Sequence, residues 1–134
     1  MEDWQNILRS SITSLDELQK HVDCDTTALE EVIAIFPLRI NPYFLDLIKK
    51  NGTPLSLQAI PDRREIADQI CLPDPLGEEP LSPVPNLVHK YPDRVLFLVA
   101  SSCAMYCRFC TRKRKVGTEA MCINQQSLEN GYQY

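Results

Sequence analysis

Cys103-Ala-Met-Tyr-Cys107-Arg-Phe-Cys110 sets three thiols at a four-residue step and then a three-residue step. Thiolate is a soft ligand, and thiols crowded this closely point to a metal rather than to a disulfide framework. A structural zinc site takes four closed ligands, usually delivered as CxxC pairs. This run holds one CxxC, and its third cysteine stands one residue further away. A fourth ligand would come from Cys24, Cys71, Cys122, His21 or His89, and no spacing supports any of them. Ordinary ferredoxin clusters also use four cysteines. Three on one loop suit a 4Fe–4S cluster whose last iron stays open for a substrate or cofactor. The sequence therefore predicts Cys103, Cys107 and Cys110 as cluster ligands, with zinc, or no metal at all, as the competing readings.

The neighbours of this run could serve it. Arg112-Lys-Arg-Lys115 follows at once, and an arginine fork can grip a carboxylate through two bonds. The plain alternative is a solvated basic face. Phe109 is either packing for the loop or a cover over whatever binds the open iron. Lys90-Tyr91-Pro-Asp-Arg94 offers two cations and a phenol that could hold a phosphate, a weak signal by itself.

Elements must position these groups. The first seventy residues read as short helices. Trp4, Ile7 and Leu8 share a face. Ser14-Leu-Asp-Glu17 has capping-box spacing, and Thr27-Ala-Leu-Glu30 repeats it ahead of the stripe Leu29, Val32, Ile33 and Phe36. Pro37 ends that helix. Asn41-Pro42 reads as N-cap and first helical position, and Asn51-Gly52 as the stop. Arg63 to Ile70 reads as one more short helix. These stripes are core, and the region is available for subunit contact and homo-oligomers. Six of the ten prolines fall between residues 73 and 92, which excludes a helix or central strand and predicts an extended connector. Val95 to Ala100 is apolar on both alternating faces, as in a parallel strand covered by helices. Loops at the carboxyl ends of such strands carry the chemistry of β/α barrels. Asn124 to Tyr134 resembles a helix opening, with Leu128 and Tyr132 inward. The expected organisation is α/β: a helical region at 1–72, a Pro-rich connector at 73–93, and at 94–134 the first strand, cluster loop and helix start of a partial parallel β/α barrel. One strand and one helix start cannot close a barrel, so the chain is expected to be the truncated, amino-terminal part of something longer.

Composition bounds the rest. The 134 residues are 44% hydrophobic and 24% charged, an ordinary globular balance, with a net charge of −4. Residues 1–102 hold sixteen acids and nine Lys or Arg, whereas 103–117 hold five basic residues and no acid. That excess suits an anionic ligand at the loop, and the overall acidity argues against nucleic acid. No run of about 18 apolar residues exists to span a membrane. The acidic start, Met1-Glu-Asp-Trp4, lacks the features of a signal peptide, so a reduced cytoplasmic setting is expected.

CxxxCxxC after an apolar strand is the signature of radical S-adenosylmethionine enzymes. The wider context, Asp74-Pro-Leu-Gly-Glu78, Val84 to Arg94, and Cys103 to Arg114, resembles the lysine 2,3-aminomutase family. The resemblance implies that Cys103, Cys107 and Cys110 bind three irons and that the fourth chelates S-adenosylmethionine. Reductive cleavage of that cofactor, fed by a donor such as flavodoxin or ferredoxin, would start a radical amino migration. The lysine, carried on pyridoxal phosphate, would become β-lysine. By motif position, Arg112 would pair with the substrate carboxylate, and Lys90, Tyr91 and Arg94 would lie at the pyridoxal phosphate. Free lysine, a lysine of elongation factor P, and glutamate all remain open as substrates.

The chain departs from that family in lacking a Gly-Gly-Asp-Pro stretch, and the later lysine and acids that hold pyridoxal phosphate and the substrate amine are missing too. The expectation is an isomerase for a longer parent and an incomplete catalyst for these residues alone. The competing function is a small zinc module whose basic loop contacts nucleic acid without catalysis.

Overall fold

The computed structural model describes residues 3–118, 121 and 123–134. They divide into two compact units. One holds the residues up to Ile70 with Ala104–Lys113, and the other holds Cys71–Cys103 with Arg114–Tyr134.

The first unit is helical. Its elements are α1 (Trp4–Arg9), α2 (Leu15–Gln19), α3 (Glu30–Ile35), α4 (Pro42–Asn51), α5 (Thr53–Ala59) and α6 (Arg64–Ala67). Ser14 caps α2 by accepting the Glu17 N–H at 3.3 Å, as its spacing predicts. Asn41 caps α4 by accepting the Phe44 N–H at 2.9 Å, with Pro42 in the first turn. Gly52, at φ 69, ends α4 where a side chain would be strained. The helix expected from Thr27 starts three residues later, at Glu30, with no side-chain cap from Leu29. Leu15, Leu18, Val32, Leu45 and Ile48 meet Ile12, Leu38 and Ile40 in one core, and Ile12 and Ile40 exchange two backbone hydrogen bonds at 2.8 and 3.0 Å. Met105, from the second segment of this unit, packs against the same core.

The second unit holds a 3₁₀ turn at Glu79–Leu81, strands β1 (Leu87–Tyr91) and β2 (Arg94–Phe97), and α7 (Gln125–Gln133). The strands pair antiparallel, Leu87 against Phe97 and Val88 against Leu96. The strand expected at 95–100 is thus paired on one edge with an antiparallel neighbour. Val95, Leu96 and Val99 are 46%, 40% and 57% exposed, and no parallel pair or barrel occurs among the described residues. The physical reason is local. Pro92-Asp93 makes a two-residue link, and only an antiparallel partner can be reached through so short a turn. The partner strand lies inside the proline-rich stretch, but in its proline-free part, 86–91. Asn124 and Ser127 form a reciprocal capping box that opens α7. Tyr132, expected inward, is 77% exposed and meets Phe97 edge-on.

Candidate functional site

In the first unit, residues 104–113 form a loop stitched to the helices at several points. Tyr106 is buried. Its N–H donates to Arg39 O at 2.9 Å, and its hydroxyl donates to Lys113 O at 2.7 Å, which closes the loop on itself. Burial pushes the Tyr106 phenol up to about 12. The Arg108 N–H donates to Gln58 O at 2.9 Å, and Asn41 Nδ2 donates to Ala104 O at 3.2 Å. The Arg108 side chain turns inward and spends its fork on Glu65, with Nε at 3.0 Å from Oε1 and Nη2 at 2.7 Å from Oε2. Its Nη1 donates to Pro37 O at 2.9 Å. Lys113 Nζ also donates to Glu65 and lies 3.9 Å above the Phe36 ring. Burial acts to raise the Glu65 carboxyl, but hydrogen bonds from Arg108 and Lys113 outweigh it and hold it below its usual value.

This frame carries Cys107 and Cys110, both half-buried. The Cys110 N–H donates to Cys107 O at 3.2 Å in a tight turn, and the Arg112 N–H donates to Cys110 Sγ at 3.4 Å. Phe109, between them, is 68% exposed, so it is not packing for the loop. Arg112 is half-buried in the same unit. Cys103 is exposed and belongs to the second unit.

The second unit gathers the other nominated residues on the hairpin. Lys90, Tyr91 and Arg94 are all exposed. Lys90 Nζ donates to Leu76 O at 2.9 Å, and Arg94 lies 4.8 Å over the Tyr91 ring and 3.7 Å from Asp93. Arg114 and Lys115 are not a solvated face. Arg114 Nη2 lies 2.9 Å from both Asp74 Oδ1 and Glu79 Oε1, and Lys115 Nζ lies 2.9 Å from Glu79. The Asp74 contact is an ion pair rather than an aligned hydrogen bond. Asp74 Oδ2 accepts the Glu79 N–H at 2.8 Å, and this bond leads in holding the Asp74 carboxyl below its usual range. A groove of about 580 Å³ in this unit is lined by Glu79, Arg114, Lys115 and the segment 82–86, and includes none of the nominated cofactor residues.

Known proteins resemble the chain along nearly all of its length. An L-lysine 2,3-aminomutase of Bacillus subtilis (strain 168) is 39% identical over 139 residues, covering 98% of this chain and 29% of the relative. An L-lysine 2,3-aminomutase of Clostridium subterminale is 36% identical, covering 98% of this chain and 33% of the relative. The chain belongs to the lysine 2,3-aminomutase family. A glutamate 2,3-aminomutase of Clostridioides difficile (strain 630) is 35% identical, covering 96% of this chain and 33% of the relative. The chain thus spans about a third of the length of the curated relatives it matches. No family model matches it.

In this aminomutase-family chain the donor set fits an iron–sulfur cluster in kind. Cys103, Cys107 and Cys110 carry thiols, and a backbone N–H already points at one sulfur, a contact of the kind that tunes clusters. Of the other candidate ligands, the two histidines are engaged. His21 Nδ1 lies 3.4 Å from Lys49 Nζ, and His89 Nδ1 lies 2.5 Å from the Tyr134 hydroxyl. Burial, then Asp23 and Asp25, push the Cys24 thiol up and keep it protonated. Cys71 is exposed, and Cys122 lies outside the described residues. Among the described residues no three His, Cys, Asp or Glu side chains stand together as a metal site. No described helix is long and apolar enough to cross a membrane. Sequence reasoning missed Arg108 and Glu65. The one available signal was an arginine set between two nominated cysteines, which reads equally well as surface.

Proposed function

We propose that this chain supplies the cluster-binding part of a radical S-adenosylmethionine and pyridoxal-phosphate-dependent 2,3-aminomutase, with Cys103, Cys107 and Cys110 as its three iron ligands. What carries the reading is the three-thiol spacing in a chain whose near-complete length matches curated lysine 2,3-aminomutases. When bound, the cluster and its cofactors supply the radical and the amine carrier, while the protein orients them and keeps water out. Lysine is the proposed substrate, on the names of those relatives, with glutamate the alternative on the name of another.

The chain's own residues take simple roles. Arg112 pairs with the substrate carboxylate through its planar fork. Lys90, Tyr91 and Arg94 receive the pyridoxal phosphate group. Their present contacts are exposed and worth about 0–1 kcal/mol each, so an incoming phosphate displaces them at little cost. Phe109, exposed between two ligands, shields the open iron from solvent.

The test is anaerobic reconstitution of the chain with iron and sulfide. The expected result is about four irons per chain and a broad visible charge-transfer band, both lost in Cys103→Ala. Stoichiometric zinc with no band refutes the cluster and favours the zinc module. With the whole protein, β-lysine should form from lysine only when S-adenosylmethionine, pyridoxal phosphate and a reductant are all present. β-Lysine formed without S-adenosylmethionine refutes the mechanism.

A further inference from the structure

The residue between two nominated ligands, Arg108, is the most buried cation described in the first unit. Its side chain is 5% exposed, against 11% for Glu65 and 18% for Lys113. A guanidinium this far from water is tolerated only when charge and hydrogen bonds compensate it. Its hydrogen-bond and charge partners come from the helical part of the unit, while the Tyr106 ring of the loop lies 4.9 Å from its guanidinium carbon. Glu65 on α6 accepts from Nε and Nη2, and the carbonyls of Phe36 and Pro37, just beyond α3, accept from Nη2 and Nη1 at 3.4 and 2.9 Å. Glu65 is itself held, because the Asp62 N–H donates to its Oε1 at 2.8 Å. The same carboxylate takes Lys113, at the far end of the loop. One acid therefore grips the loop at two points five residues apart in sequence, and Cys110 falls between them with Cys107 adjoining.

We propose that Glu65 is a positioning residue for the cluster loop: by neutralising buried Arg108 and Lys113 together, it fixes the backbone that presents Cys107 and Cys110. The proposal rests on the reading of these cysteines as iron ligands. The apolar contacts of Met105 bury the loop without direction, and the hydrogen bonds of Tyr106 tie it to Arg39 O and Lys113 O. The fork of Arg108 has a fixed plane and sets the orientation of the residue that follows Cys107. Without the carboxylate, Arg108 must either stay buried with its charge uncompensated or swing out to water. Swinging out carries the backbone of Cys107 with it.

The experiment compares the wild-type chain with Glu65→Ala and Glu65→Gln. Alkylation by iodoacetamide is followed at each cysteine by peptide mass spectrometry, before and after anaerobic loading with iron and sulfide. Cys24 is the internal control, being half-buried in the same unit and remote from the loop in sequence. In the metal-free chain, Glu65→Ala should speed labelling of Cys107 and Cys110 at least about tenfold relative to Cys24, since a buried ion pair has been broken. Glu65→Gln, which keeps an acceptor but no charge, should fall between the two. After loading, both variants should lose iron to a chelator faster than wild type, in the same order. Labelling of Cys107 and Cys110 unchanged from wild type overturns the proposal. So does an equal rise at Cys24, which would mean that Glu65 holds the whole unit together. If Glu65→Ala fails to fold, the same ratio is read in Glu65→Gln. A wild-type chain that takes no cluster sinks the proposed function, whereas the metal-free ratio still decides whether Glu65 holds the loop.

Discussion

Gly131→Ala should destabilise the second unit, against the ordinary rule for helices. Gly131 lies inside α7, and replacing an interior helical glycine by alanine usually stabilises by about 1 kcal/mol. Here a Cβ would stand against Phe97 Cζ, inside van der Waals contact, and 2.5 Å from Cε2. Carbon atoms settle at about 3.5–4.0 Å, so the ring must retreat by roughly 1 Å. Phe97 is not at liberty to do so. It is half-buried on β2 and meets Tyr132 edge-on, with centroids 5.3 Å apart and an interplanar angle of 88°. Overpacking of this kind costs about 1–3 kcal/mol, which offsets or exceeds the propensity gain. The net expectation is a loss of roughly 0–2 kcal/mol, centred near 1. The sign should reverse once the ring is gone: in a Phe97→Ala background, Gly131→Ala should stabilise by about 1 kcal/mol. Urea unfolding followed by circular dichroism gives all four corners of this double-mutant cycle. A coupling of about 1–3 kcal/mol is expected for groups in direct contact. Equal effects of Gly131→Ala in the two backgrounds would show that α7 does not press on the hairpin, and the argument would fail.

Leu18 is fully buried at the centre of the helical core, and Leu18→Ala should cost about 2–5 kcal/mol in the same urea assay. Asn41→Ala removes the cap on Phe44 N and the bond to Ala104 O, and should cost about 1–2 kcal/mol. Acid should weaken the first unit through Glu65 and Asp62. Glu65 is held below its ordinary value, and Asp62 is lowered to about 2 by its bonds to Arg64. A depressed carboxyl stabilises the fold fully above its unfolded value, about 4, and that contribution is lost as pH falls through the folded value. Thermal melts between neutrality and pH of about 2 should therefore show a falling midpoint, with a shallower fall in Glu65→Gln; identical slopes in the two proteins would refute Glu65's part in it.

What the sequence displays well is local spacing. Three thiols within one short run, the Asn41-Pro42 start of α4 and its Gly52 stop each depend on near neighbours, and near neighbours are what a sequence displays. The core stripes of α2, α3 and α4 are periodic and could be read for the same reason. The strand at 95–100 was legible only in part, because apolar character signals burial without naming what does the burying. In the structure a two-residue turn at Pro92-Asp93 hands β2 an antiparallel partner, and several of its apolar side chains stay exposed. The charges were the least legible. Lys113, Arg114 and Lys115 belong to one basic run in sequence, yet Lys113 joins Arg108 on Glu65 and the last two close on Glu79, with Asp74 also beside Arg114. Those acids lie some 35 to 48 residues upstream. A residue's type and spacing reveal which bonds it can make. Only the folded chain decides which partner is near enough, because ion pairing depends on distance and burial and neither is carried by sequence separation.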